Sequence, residues 1–159
     1  MTPTTTPTTT GPAARKHWMS LLAKAPPARL AALFDALFDG VGTRPSFTWL
    51  RPPEVGGVML RGRMGGTGAP FNLGEMTVTR CALKLGSGEV GHAYVQGRDK
   101  AHAERAALVD ALMQTDRAGA VSRTVLDPLA EEAAAAKRAR AAKAAATRVD
   151  FFTMVRGED

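Results

Sequence analysis

Residues 76–96 read MTVTRCALKLGSGEVGHAYVQ, and this stretch decides the fold. Met76–Leu85 and Val90–Gln96 carry side chains suited to a pleated surface, and Gly86-Ser87-Gly88 between them supplies a tight turn. The reading is a β-hairpin, whose strands run antiparallel. Upstream, from Ser46, the residues remain β-branched or aromatic, broken by Gly and Pro without a 3.6-residue period. Further strands are therefore predicted near Phe47–Leu50 and Val55–Met64. Alternation along the second puts Val58, Leu60 and Met64 on one side and Arg61 and Arg63 together on the other.

The period changes on both sides of this middle segment. Trp18, Leu21 and Leu22 within Arg15–Lys24, then Leu30, Leu33, Phe34, Leu37 and Phe38, predict two amphipathic helices. Pro26-Pro27 separates them because proline lacks the N–H an interior turn needs, and Gly40 and Gly42 close the second. After Arg98 a helical run through Leu112 opens at Asp99, a good N-cap, and Asp127-Pro128 predicts the start of a long helix to Ala146. That helix has almost no large apolar residue after Leu129, so it is expected to be solvated or packed by alanine. Its early Glu131 and Glu132 and late Lys137, Arg138, Arg140 and Lys143 match the helix dipole and need no ligand. The fold class expected is α+β: an antiparallel sheet from the middle segment, covered by N-terminal and C-terminal helices.

A chain of 159 residues, 45% hydrophobic, supports one domain with tails and not two well-cored ones. Residues 1–13, rich in Thr and Pro, are expected to be a disordered tail, with residues 14–159 as a single domain. The net charge of +6 favours anionic partners, whether phosphate-bearing metabolites, nucleic acid or an acidic protein surface. An aromatic content of 6% weakens nucleic acid, since base stacking wants exposed rings. The lone Cys81 excludes an internal disulfide and any cysteine set for zinc or iron–sulfur within this chain. A reducing compartment, the cytoplasm, is expected, and no apolar run is long enough to span a bilayer.

The densest candidate for chemistry is Arg61–Glu75, which holds five glycines and is entered by two arginines. Arg61, Arg63, the backbone at Gly65, Gly66 and Gly68, and Arg80 on the following strand form the expected anion- or partner-binding set. Glycines expose successive N–H groups, and guanidiniums grip phosphate bidentately. No Gly-Lys-Ser/Thr follows, so the run is not a Walker A loop, and a flexible turn explains the same glycines equally well. Glu75, Arg80, Arg98 and Asp99 gather charge at strand ends around one expected cleft, though each also reads as a surface ion pair. His17, His92 and His102 have no ligand spacing, so no metal is expected; His92 suits either a proton donor or a hydrogen-bonded structural role. Cys81 reads as core, and catalytic residues stay unassigned. Phe151, Phe152 and Met154, in an apolar chain end, are expected to anchor a subunit interface.

Three segments resemble the PhnG family: Arg61–Arg80, Gly91–Asp99 and the terminal Thr147–Asp159. The likeness begins around Lys16-His17-Trp18-Met19 and runs to the last residue. PhnG is a subunit of the bacterial carbon–phosphorus lyase system, so the resemblance implies a part in using phosphonates as a phosphorus source. It implies work with PhnH, PhnI and PhnL when a phosphonate displaces adenine from ATP to give a ribose 1-phosphonate 5-triphosphate. It also implies a core assembly with PhnH, PhnI and PhnJ, in which the iron–sulfur cluster and S-adenosylmethionine belong to PhnJ. The function expected is a non-autonomous transferase subunit inactive in isolation; the alternative is a structural scaffold with no part in an active site.

Overall fold

The structure is a computed structural model that describes residues 11–39 and 42–148. The expected anchors Phe151, Phe152 and Met154 lie outside the described residues, as do residues 1–10. Helix α1 spans Pro12–Lys24 and α2 spans Pro27–Phe38. Both open on proline, which the first turn accepts because its N–H groups have no intrahelical acceptor. Pro12 and Ala13 thus belong to α1 and not to the expected tail. Each helix buries one stripe, Trp18 and Leu22 from α1 and Leu30, Leu33 and Phe34 from α2.

The sheet has three antiparallel strands in the order β1-β2-β3: Phe47–Arg63, Pro70–Leu85 and Val90–Gln96. The hairpin of β2 and β3 stands where the sequence put it. The two strands expected at Phe47–Leu50 and Val55–Met64 are instead one, because bulges between Trp49 and Arg51 and between Arg51 and Glu54 absorb Pro52-Pro53. An outer strand tolerates such prolines, which withhold their N–H groups from the ladder. Likewise β2 begins at Pro70, not Met76, and a register shift between Leu60 and Arg61 lets Leu73 bulge.

One face of this sheet is the core. Cys81, Leu83 and Leu85 of β2 and Ala93 and Val95 of β3 pack against α1, α2 and α3 (Lys100–Leu112), which contributes Ala103, Ala107, Leu108 and Val109. A buried side chain such as Leu83 or Phe34 contributes about 1.5–3 kcal/mol by leaving water. Asp99 caps α3 as expected, its Oδ1 accepting the His102 N–H at 2.9 Å. The closest approach is at Gly91, where a Cβ would stand 2.0 Å from the Ala107 carbonyl oxygen. Only glycine lets α3 lie this near β3.

The last helix does not start at Asp127-Pro128. A helical path already runs through α4 (Ala118–Val121) and a π turn (Ser122–Leu126) into α5 (Asp127–Ala146). The Asp127 N–H reaches back to the Ser122 carbonyl, and this wider turn accommodates Pro128, whose ring would crowd a regular helix. Beyond Ala130 every described residue of α5 is exposed, as its alanine-rich composition predicts. Among the described residues no helix is long and apolar enough to cross a membrane.

Candidate functional site

The expected set Arg61, Arg63, Gly65, Gly66, Gly68 and Arg80 does not converge. Five of its members sit at the end of a long β1–β2 hairpin, closed by a 3-10 turn at Met64–Gly66. Gly65 and Gly66 have φ of 58° and 81°, left-handed values that glycine adopts freely. The Gly68 N–H donates to the Met64 carbonyl at 2.8 Å, and Arg63 Nη1 donates to the Gly68 carbonyl at 3.0 Å. The glycines are therefore accounted for by the turn, and one guanidinium helps close it. The Arg61 side chain makes no hydrogen bond or ion pair among the described residues and is exposed.

Arg80 lies eight residues along β2 from Asn72, the partner of Arg61, a separation of roughly 26 Å. It also faces the other side of the ribbon, so Arg61 and Arg80 do not share a site. Of the charges expected around one cleft, Glu75, Arg80, Arg98 and Asp99, Arg80 is paired with Glu54 and Asp99 is committed to the α3 N-cap.

Arg80 instead belongs to the sheet face turned away from the helices. Glu54, Arg80 and Tyr94 stand in one row across the three strands, and Arg51, Ala82 and His92 in the next. Glu54 Oε2 accepts from Arg80 Nε and Nη2, both at 3.3 Å, and lies 3.7 Å from Arg51 Nη1. One carboxylate thus answers two exposed guanidiniums, leaving a net cationic surface beside the half-exposed Tyr94 ring. The His92 imidazole is exposed on this face and makes no hydrogen bond among the described residues.

A third polar constellation escaped the sequence. Asp110 of α3 is fully buried, and its two oxygens accept Arg15 Nε at 3.1 Å, Arg15 Nη2 at 2.7 Å, Trp18 Nε1 at 2.9 Å and the His92 N–H at 2.9 Å. Arg15 Nη2 and Gln114 Nε2 also donate to the Val90 carbonyl, at 3.1 and 2.8 Å. This junction ties α1, α3 and β3 together and satisfies the carboxylate completely, so its work is structural. The available signal was a charge within the apolar run Ala106-Ala-Leu-Val-Asp110-Ala-Leu112.

The remaining candidates are structural too. Cys81 is buried, its thiol donating to the Ala103 carbonyl, and burial pushes its pKa up to about 11, with the charge of Glu104 adding to the shift. That thiol is no nucleophile at neutral pH. His102 is buried with Nε2 bonded to the Leu22 carbonyl at 2.8 Å, while its Nδ1 has no partner among the described residues. Among the described residues no three or more His, Cys, Asp or Glu side chains gather as a metal site would require.

Comparison with known proteins adds what the geometry leaves open. Residues 13–157 match the family model described as phosphonate metabolism protein PhnG. A relative from Rhizobium meliloti (strain 1021), named alpha-D-ribose 1-methylphosphonate 5-triphosphate synthase subunit PhnG, is 47% identical over 149 residues, which cover 94% of this chain and 93% of that protein.

Proposed function

The chain belongs to the PhnG family, and from that premise we propose that it is a subunit of an alpha-D-ribose 1-methylphosphonate 5-triphosphate synthase in phosphonate catabolism. The observation that carries this reading is the identity of 47% to the Rhizobium meliloti subunit along nearly the whole of both chains. The chain acts in a multi-subunit transferase and not alone. Its partners in our reading are PhnH, PhnI and PhnL for the displacement of adenine from ATP by a phosphonate, with PhnJ joining the core assembly and carrying the iron–sulfur cluster and S-adenosylmethionine. Within this reading Arg61, Arg63 and Arg80 serve as contacts for a polyanion or an acidic neighbour, at two separate places.

A lack of independence agrees with the physical picture. Neither cationic place is enclosed, and among the described residues no three or more His, Cys, Asp or Glu side chains gather at either of them. The same fact favours a second reading, a scaffold that assembles the synthase without touching its substrates. Reconstitution decides between them. Adenine release from ATP in the presence of methylphosphonate should require this chain together with its partner subunits; full release without it would overturn the proposal. Arg61→Ala, Arg63→Ala and Arg80→Ala complexes that assemble normally and lose turnover support participation at the active site, whereas normal turnover in all of them supports the scaffold.

A further inference from the structure

We infer that the projecting end of the β1–β2 hairpin is a docking arm, inserted into a cleft with an apolar wall and an acidic rim on a different subunit of the synthase. The inference rests on the subunit reading above and adds which part of the chain does the joining.

β3 pairs with β2 only from Val78 to Lys84. Beyond it, β2 continues from Thr77 back to Pro70 with β1 as its only neighbour in the sheet, a two-stranded ribbon roughly 26 Å long. No residue from Gly56 to Met76 is buried. A ribbon of two strands is marginal by itself in water, and four glycines within these strands, Gly56, Gly57, Gly62 and Gly74, weaken it further.

Its side chains are nevertheless those of a core. In the register Val58 opposes Met76, Leu60 opposes Gly74 and Gly62 opposes Phe71, so these share one side. Phe71 and Leu73 both lie over Gly62, within 3.8 Å of where its Cβ would stand. Leu73 is 66% exposed and Met64, at the turn, 75%. Large apolar side chains concentrated on a segment with no body beneath it mark an interaction surface. The opposite side bears Arg61 and Arg63 toward the tip, with Met59 and the arm's one carboxylate, Glu75, nearer the body, so the outer part of the arm is cationic.

Charge chooses the occupant. Two copies of this chain, each at +6, repel, whereas a subunit presenting carboxylates attracts the arm and pairs with its guanidiniums. Because both sides of the ribbon are open, a cleft satisfies it better than a flat surface.

The test uses the full chain co-expressed with its partner subunits. Leu73→Asp and Leu60→Asp alter exposed positions, so the variant chains should keep the wild-type circular dichroism spectrum while their recovery with the other subunits falls by about tenfold or more. Recovery at the wild-type level would overturn the inference and leave the subunit reading intact. In a second experiment a photo-crosslinking amino acid replaces Phe71 in the assembled complex. A covalent product with a different subunit is expected; a product with a second copy of this chain, or none, would overturn the inference. Failure of the wild-type chain to join any partner subunit would instead overturn the subunit reading itself.

Discussion

The body and the arm of this molecule are built by the same two strands and obey different rules. Along β2, Cys81, Leu83 and Leu85 alternate into a core, whereas Phe71 and Leu73 of the same strand stand in water. In the body Cys81, Leu83 and Leu85 of β2 join a core shared with the helices, and buried charge is answered, as Asp110 is by Arg15 and Trp18. In the arm hydrogen bonding holds the backbone while the side chains go unanswered. The contrast teaches that strand formation and side-chain burial are separable: the first needs only a partner strand, the second a body.

The largest effect that would break this contrast is at the buried junction. Asp110→Ala should cost about 2–4 kcal/mol of unfolding free energy, because it leaves the Trp18 indole N–H and the His92 N–H without an acceptor and takes the counter-charge from the partly exposed Arg15. Urea denaturation measures the loss, and hydrogen exchange should show β3 and α3 loosening while arm amides such as Val58 stay as they were. Next comes Gly91→Ala, expected to cost about 1–3 kcal/mol or more as α3 is forced off β3. Gly74→Ala, in the arm with nothing within 4 Å of the added methyl, should change stability by no more than about 0.5 kcal/mol. Equal losses from the two glycine changes would erase the distinction between body and arm.

Alkaline pH gives a smaller and more selective probe. The folded chain holds the Cys81 proton to about 11, against 9.0 for the ordinary thiol. Stability from this group is therefore complete below pH 9 and is lost as the pH rises toward 11, by about 1 kcal/mol at pH 10. Cys81→Ala should flatten that decline in a series of melts, and an unchanged slope would contradict the burial argument. The smallest effect belongs to the open sheet face, where Arg80→Ala should cost about 0–1 kcal/mol because its pairing with Glu54 is exposed. A thermal melt that fell by many degrees would mean that face is not the free surface described.

What the sequence revealed was what neighbouring residues decide among themselves. Gly86-Ser87-Gly88 turned the hairpin, Pro26-Pro27 parted α1 from α2, and Asp99 capped α3, each through local backbone chemistry. What stayed hidden depended on distant residues. The Asp110 carboxylate meets Arg15 across 95 positions, so the apolar run around it hints at burial but nothing local names the partner that makes burial tolerable. Pro52-Pro53 resembled a break because the bulges that absorb them exist only in the paired ladder. Pro128 resembled a helix start because the π turn before it has no sequence signature that composition exposes. The arginine and glycine candidates were read from proximity in the chain, and the length of the arm then carried Arg61 and Arg63 away from Arg80.

The two outer rails of the sheet share a property with a consequence for the company this protein keeps. On β1 Pro52-Pro53 offer no donors, and on β3 the Val90 carbonyl and His92 N–H are already engaged by Arg15, Gln114 and Asp110. Within the three-stranded body, lateral growth of the sheet, the common route by which bare strands polymerise into fibres, is obstructed at these positions on both flanks. Bare strand edge is thus left mainly to the arm, the same place that carries the unmet apolar side chains, so one fitting companion covers both.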